Sequence, residues 1–165
     1  MLHIRERLAS PASATVELSL PYELRVKHRL LTRLPSGVEV GLSLERGTSL
    51  RDGDCLRADD GTIVRVVAAD EDLLEVRSAE PQMLARIAYH LGNRHSRVQV
   101  GPGWLRFAFD SVGQAMVEGL GATAVRLRAP FEPEPGAYAG THTHSPGEGV
   151  APRGVIHDMM ERTRK

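Results

Sequence analysis

Through the first half of the chain, apolar and polar residues alternate. Val16, Leu18 and Leu20 are separated by Glu17 and Ser19. Val38, Val40, Leu42 and Leu44 are separated by Glu39, Gly41 and Ser43. Successive side chains of a strand point to opposite faces, so this period of two predicts strands with one buried face. The stretches LPSG, RDGD and ADDG between them carry turn chemistry, because glycine tolerates positive φ and aspartate bonds its own backbone. No helical period is convincing before residue 70, so residues 1–73 are expected to form a small all-β domain.

The rhythm then changes. LLEVR predicts a strand, after which Met83, Leu84, Ile87, Ala88 and Leu91 recur at the three- and four-residue spacing of an amphipathic helix. Ser78 is the expected N-cap, Pro81 suits the first turn, and Gly92 is the expected stop. Val98 and Val100 predict a second strand. WLRFAF predicts a third, with Leu105, Phe107 and Phe109 on one face. Asp110 can cap a second helix ending near Gly121, although Gly113 inside it costs about 1 kcal/mol relative to alanine. Val125 and Leu127, alternating with Arg126 and Arg128, close the series. Strand, helix, strand, strand, helix, strand is the ferredoxin-like (βαββαβ) order. The expected fold is therefore α+β, with a ferredoxin-like domain over residues 74–130 following the all-β domain. Residues 131–165, rich in proline and glycine, read as a flexible tail.

Composition narrows the possible partners. Lys plus Arg and Asp plus Glu are balanced at 21 each, and the pI is near 7.1, which argues against duplex nucleic acid or an anionic membrane. The longest apolar run, TIVRVVAA, is broken by Arg65 and falls far below the roughly 20 residues of a membrane span. A single cysteine, Cys55, suits a reducing compartment. With no apolar leader in MLHIRERLAS, a cytoplasmic protein is expected.

The candidate chemistry lies in seven histidines. His3 and His28 stand in the β half with no ligand-type neighbours. His90 sits in the last turn expected for the first helix, where a basic side chain complements exposed carbonyls. His95 ends the corner Asn93-Arg94-His95 between helix and strand, so its imidazole should project from a rigid support. His142 and His144, in THTH, are close enough to share a borderline ion such as nickel, copper or zinc. His157 lies further along the tail. No Gly-x-Ser-x-Gly elbow, Walker loop or His-Glu-x-x-His pattern is present, and Asp52, Asp54, Asp59 and Asp60 read as turn residues. No catalytic residue is indicated.

YHLGNRH after an amphipathic helix, together with MVEGLGA at residues 116–122, closely resembles the UreE family of urease accessory nickel chaperones. The likeness in architecture covers the whole chain. It implies a non-enzymatic homodimer joined through the ferredoxin-like domain, with two copies of His95 facing each other across a two-fold axis and sharing one Ni(II). Zn(II) or Cu(II) are alternative ions in vitro. Tail histidines, His142 and His144 with His157 or His90 as further candidates, would complete or load the site. Asn93 and Arg94 would support the imidazole from behind. The implied partners are the urease accessory GTPase and the urease apoprotein complex, with neither nucleic acid nor membrane involved. Because imidazole ligates only when neutral and titrates near pH ~6.5 when free, nickel affinity should fall below that pH. Some relatives carry two histidines flanking the aspartate that starts the second helix. Here those positions are Phe109 and Ser111, so that site is not expected. The rival reading is an RNA-binding module, suggested by LRFAF on a ferredoxin-like sheet, where strand aromatics stack on bases.

Overall fold

A computed structural model describes residues 1–135. Seven strands occur before residue 78: β1 (Leu2–Arg7), β2 (Val16–Leu20), β3 (Arg29–Arg33), β4 (Glu39–Ser43), β5 (Cys55–Ala58), β6 (Ile63–Ala68) and β7 (Asp70–Arg77). The first six form one mixed sheet in the order β2-β6-β5-β1-β4-β3, in which β1 runs parallel to β4 and β2 parallel to β6. Ile4, Leu18, Leu20, Val40, Leu42 and Val64 share one core, as the alternation requires. One feature was not anticipated. Tyr22–Arg25 form a single helical turn, α1, too short to show any period.

The second sheet holds β7, β8 (Gln99–Gly101), β9 (Trp104–Ala108) and β10 (Ala124–Pro130), in the order β10-β7-β9-β8 and antiparallel throughout. Two helices cover one face: α2 (Pro81–Asn93) and α3 (Ser111–Gly119). Ile87 and Leu91 of α2 and Val117 of α3 meet Leu74, Val76, Leu105 and Phe107 in one cluster. Gly113 is buried because α3 lies against β9 there. A Cβ at that position would stand 3.0 Å from the Phe107 ring and 3.1 Å from Asp110 Oδ2. Close packing thus accounts for a residue that helix propensity alone disfavours.

Three local expectations need correction. Ser78 does not cap α2. The N-cap is Glu80, with no side-chain bond, and Ser78 Oγ instead accepts the Glu80 N–H at 3.0 Å. Pro81 at the first position needs no partner for an N–H it lacks, which relaxes the need for a cap. Phe109 is not buried with Leu105 and Phe107. It lies just past β9, partly exposed, with the Arg126 guanidinium 3.9 Å from its ring centre. Finally, Gly92 does not end α2, as described below.

The face of β10 also differs from a one-sided strand. Leu127 and Ala129 point away from the helices and cluster with Leu73, Phe131 and Tyr22 of α1, while Val125 on that face stays 60% exposed. Of residues 131–135, which pattern alone assigns to the tail, Phe131 and Pro133 are buried while Glu134 and Pro135 are exposed. Phe131 meets the Tyr22 ring edge-on at 5.8 Å. His142, His144 and His157 lie outside the described residues. Among the described residues, no helix is long and apolar enough to cross a membrane.

Candidate metal centre

The two helices of the second sheet end in the same way, with one difference. At the end of α3, Gly121 N–H bonds Glu118 O at 3.0 Å and Ala122 N–H bonds Val117 O at 3.2 Å, with Gly121 at φ 89°. This is a Schellman closure, in which one left-handed residue returns two amides to the last carbonyls. At the end of α2, His95 N–H bonds Gly92 O at 2.9 Å and Ser96 N–H bonds Leu91 O at 3.0 Å. The left-handed residue is His95, at φ 57°. Gly92 lies inside the last turn, and Arg94 is the C-cap. Glycine was the expected stop because it favours this conformation. The chain places histidine there instead.

His95 is the only non-glycine residue with positive φ among the described residues. An L-residue in this region is disfavoured by roughly 1–2 kcal/mol. The two hydrogen bonds that close the motif hold it there, so the Cα–Cβ direction of His95 is set by the backbone. The side chain is exposed. It lines an open cleft of about 480 Å³ together with Ala88, Gly92, Val98, Val100 and Glu134. Val100, on edge strand β8, is 54% exposed, and Tyr89, next to Ala88 on α2, is 65% exposed.

The corner is braced from the side. Arg94 Nη2 lies 3.4 Å from Asp110 Oδ2. Asp110 caps α3, accepting Gly113 N–H at 2.9 Å and Val112 N–H at 3.2 Å. These amides, with the Arg94 guanidinium nearby, hold the Asp110 carboxyl below its usual range. Arg94 therefore links the end of one helix to the start of the other. Asn93 is the last residue of α2 and is exposed. His90 sits in the last turn, as expected, with its ring edge-on to Tyr89 at 5.3 Å, and is not among the residues lining the His95 cleft.

Of the residues singled out from sequence, the structure thus brings together Asn93, Arg94 and His95 at one corner, with His90 one turn behind. Among the described residues, no three His, Cys, Asp or Glu side chains gather closely enough to hold a metal ion. Glu134 in the cleft was not anticipated, since an acidic residue between prolines carries no positional signal.

The readings set aside from sequence also have physical outcomes. Asp54 and Asp60 serve turns, accepting Arg51 N–H at 2.8 Å and Thr62 N–H at 2.9 Å, while Asp52 accepts Ala68 N–H at 2.7 Å and ties its turn to the end of β6. Cys55 is buried, within 3.5 Å of the Ala12 backbone. The RNA reading loses its basis. Phe107 is 2% exposed in the helix-side core, and Phe109 is stacked on Arg126, so neither presents a ring to a base.

Comparison with known proteins supplies the family. The family model described as UreE urease accessory protein, N-terminal domain, matches residues 2–69, and the corresponding C-terminal domain model matches residues 71–159. A urease accessory protein UreE of Ectopseudomonas mendocina is 53% identical over 146 residues, covering 88% of each chain. Its counterpart in Alkalilimnicola ehrlichii is 51% identical over 140 residues, 85% of this chain and 86% of the relative. That of Nitrosospira multiformis is 48% identical over 148 residues, 90% and 84% respectively. With both domain models matched in order and about half of the aligned positions identical to such relatives, the chain belongs to the UreE family of urease accessory proteins.

Proposed function

We propose that this accessory protein is a nickel metallochaperone, binding Ni(II) as cargo and delivering it to the urease apoprotein together with the urease accessory GTPase. It performs no chemistry on a substrate and works in the cytoplasm. The functional unit is a homodimer joined through the second domain, read as ferredoxin-like with support from its antiparallel order β10-β7-β9-β8 and the two helices on one face. Two copies of His95 face each other across the two-fold axis and share one ion. His142 and His144 complete the site, with His157 and His90 as further candidates. Zn(II) and Cu(II) compete in vitro, since imidazole accepts all three ions.

The observation that carries this reading is His95 at φ 57°. A left-handed position at a helix end favours glycine, and strain retained at an exposed residue points to a use for the side chain. A two-fold axis doubles one such imidazole without further sequence. Exposed Val100 and Tyr89 next to the cleft suit an interface between copies. Arg94, tied to Asp110, steadies the corner. Few ligands on an open surface suit an ion that must later be surrendered.

The test is a nickel titration of wild type and His95→Ala, with oligomeric state measured alongside. The expected wild-type stoichiometry is one tight ion per two chains, lost in the variant. Unchanged binding in His95→Ala, or a monomer when loaded, overturns the reading. His142→Ala/His144→Ala should weaken binding without abolishing it.

A further inference from the structure

Glu134 is a carboxylate whose neighbours give it no structural task. Asp72, Glu75, Asp110 and Glu132 each face arginine: Arg126 for Asp72, Arg77 and Arg106 for Glu75, Arg94 for Asp110, and Arg25 with Arg51 for Glu132. Glu134 is exposed and forms no salt bridge with any described residue. It lines the cleft that His95 lines. Arg97 lines that cleft too, but its guanidinium lies over the Tyr22 ring, 5.9 Å from the ring centre.

The backbone that carries Glu134 is held firmly. Pro133 and Pro135 flank it, and a residue before proline is steered away from helical angles. Glu134 N–H bonds Val98 O at 2.8 Å, and Glu132 N–H bonds the Gln99 side chain at 3.1 Å. The other grip comes from Arg25, the last residue of α1 and, at 1% exposure, the one buried charged residue among those described. Its guanidinium donates to Phe131 O and to the Glu132 carboxylate, and to Leu20 O at 3.1 Å and Leu50 O at 3.3 Å in the first domain. A buried guanidinium is costly unless it is fully partnered, so these bonds act together. Both domains thus fix where residue 134 stands, as the helix-end closure fixes residue 95.

We infer that Glu134 supplies an anionic oxygen to the ion held by His95, so that each protomer brings one imidazole and one carboxylate. The inference rests on the nickel and dimer reading above. Among the described residues of one chain, no three donor side chains gather, so a pair doubled by the two-fold axis is the set that residues 1–135 can offer. Two nitrogens and two oxygens suit Ni(II), which accepts mixed donors of this kind. The carboxylate also answers a charge problem, since neutral imidazoles leave the ion's double charge uncompensated. For a dication about 6 Å from a carboxylate in water, the attraction is worth about tenfold in affinity, reduced to about threefold by physiological salt. Two copies restore about tenfold.

The experiment is a competitive Ni(II) titration of the full chain as wild type, Glu134→Gln, Glu134→Asp and His95→Ala. Glu134→Gln keeps the shape and removes the charge, and Glu134→Asp keeps the charge. Because Glu134 is tied to Val98 through its backbone N–H, neither substitution touches that bond. Hydrogen exchange at the amide of position 134 and urea unfolding without metal check that the fold is unchanged. The expected result is an affinity about tenfold lower in Glu134→Gln, most of it recovered in Glu134→Asp, with one ion per two chains and full amide protection in both. Glutamine binding within twofold of wild type, aspartate binding no better than glutamine, or a loss that tracks lost amide protection overturns the inference. If His95→Ala binds as wild type does, the nickel reading fails and takes this one with it; His95 dependence with an inert Glu134 sinks this inference alone.

Discussion

The left-handed histidine can be tested by giving the backbone the residue it favours. In His95→Gly the strain of roughly 1–2 kcal/mol is relieved. Glycine's extra freedom in the unfolded chain takes back about 0.4–1 kcal/mol. The His95 side chain is exposed, so its removal forfeits little buried contact. The balance predicts stabilisation of about 1 kcal/mol, or roughly 2–4 °C in Tm for a chain of this size. Urea and thermal unfolding without metal measure it, and nickel titration of the same sample should show tight binding lost. His95→Asn is the control, since asparagine tolerates the same conformation and should leave stability near wild type while also removing the ligand. A glycine variant less stable than wild type would refute the reasoning, because it would mean that the imidazole packs to hold the fold instead of being held by it.

Two further outcomes follow from the same corner of the second domain. Gly113→Ala should destabilise by about 1–3 kcal/mol despite alanine's better helix propensity, because the new Cβ meets the Phe107 ring at 3.0 Å; chemical denaturation showing a gain would mean that α3 shifts freely on β9. Asp110, whose carboxyl is lowered by the Gly113 and Val112 amides, contributes stability that is present above its unfolded pKa of ~3.9 and lost as pH falls through the lower folded value. Asp110→Asn keeps a capping oxygen at every pH, so unfolding midpoints measured down the acid limb should converge on or cross those of wild type below pH ~4. Curves that stay parallel would place the acid sensitivity elsewhere.

Much of this molecule is local in origin and legible in the order of residues. Alternation marked β2 and β4 of the first sheet, because a half-buried strand needs nothing beyond its own pleat to declare itself. The stripe from Met83 to Leu91 marked α2, and Asp110 marked the start of α3. Sequence also singled out His95, through its place between a helix and a strand and through the motif that carries the family resemblance. The conformation of that residue was not legible. A stop signal was available at Gly92, yet α2 continues because its last turn still packs Leu91 into the core, and the closing bonds fall on His95 and Ser96. Arg25 was equally invisible. Its burial depends on carbonyls from Leu20, Leu50 and Phe131, which only the folded chain brings together. Residues 131–134 lack any periodic pattern, since they are fixed by the Arg25 guanidinium and by single bonds to Val98 O and the Gln99 side chain. Periodicity records what an element does with its own neighbours. Which backbone angle a helix end adopts, and which distant segment a buried charge fastens, are settled only when tertiary contacts decide where each orphaned donor and acceptor finds its partner.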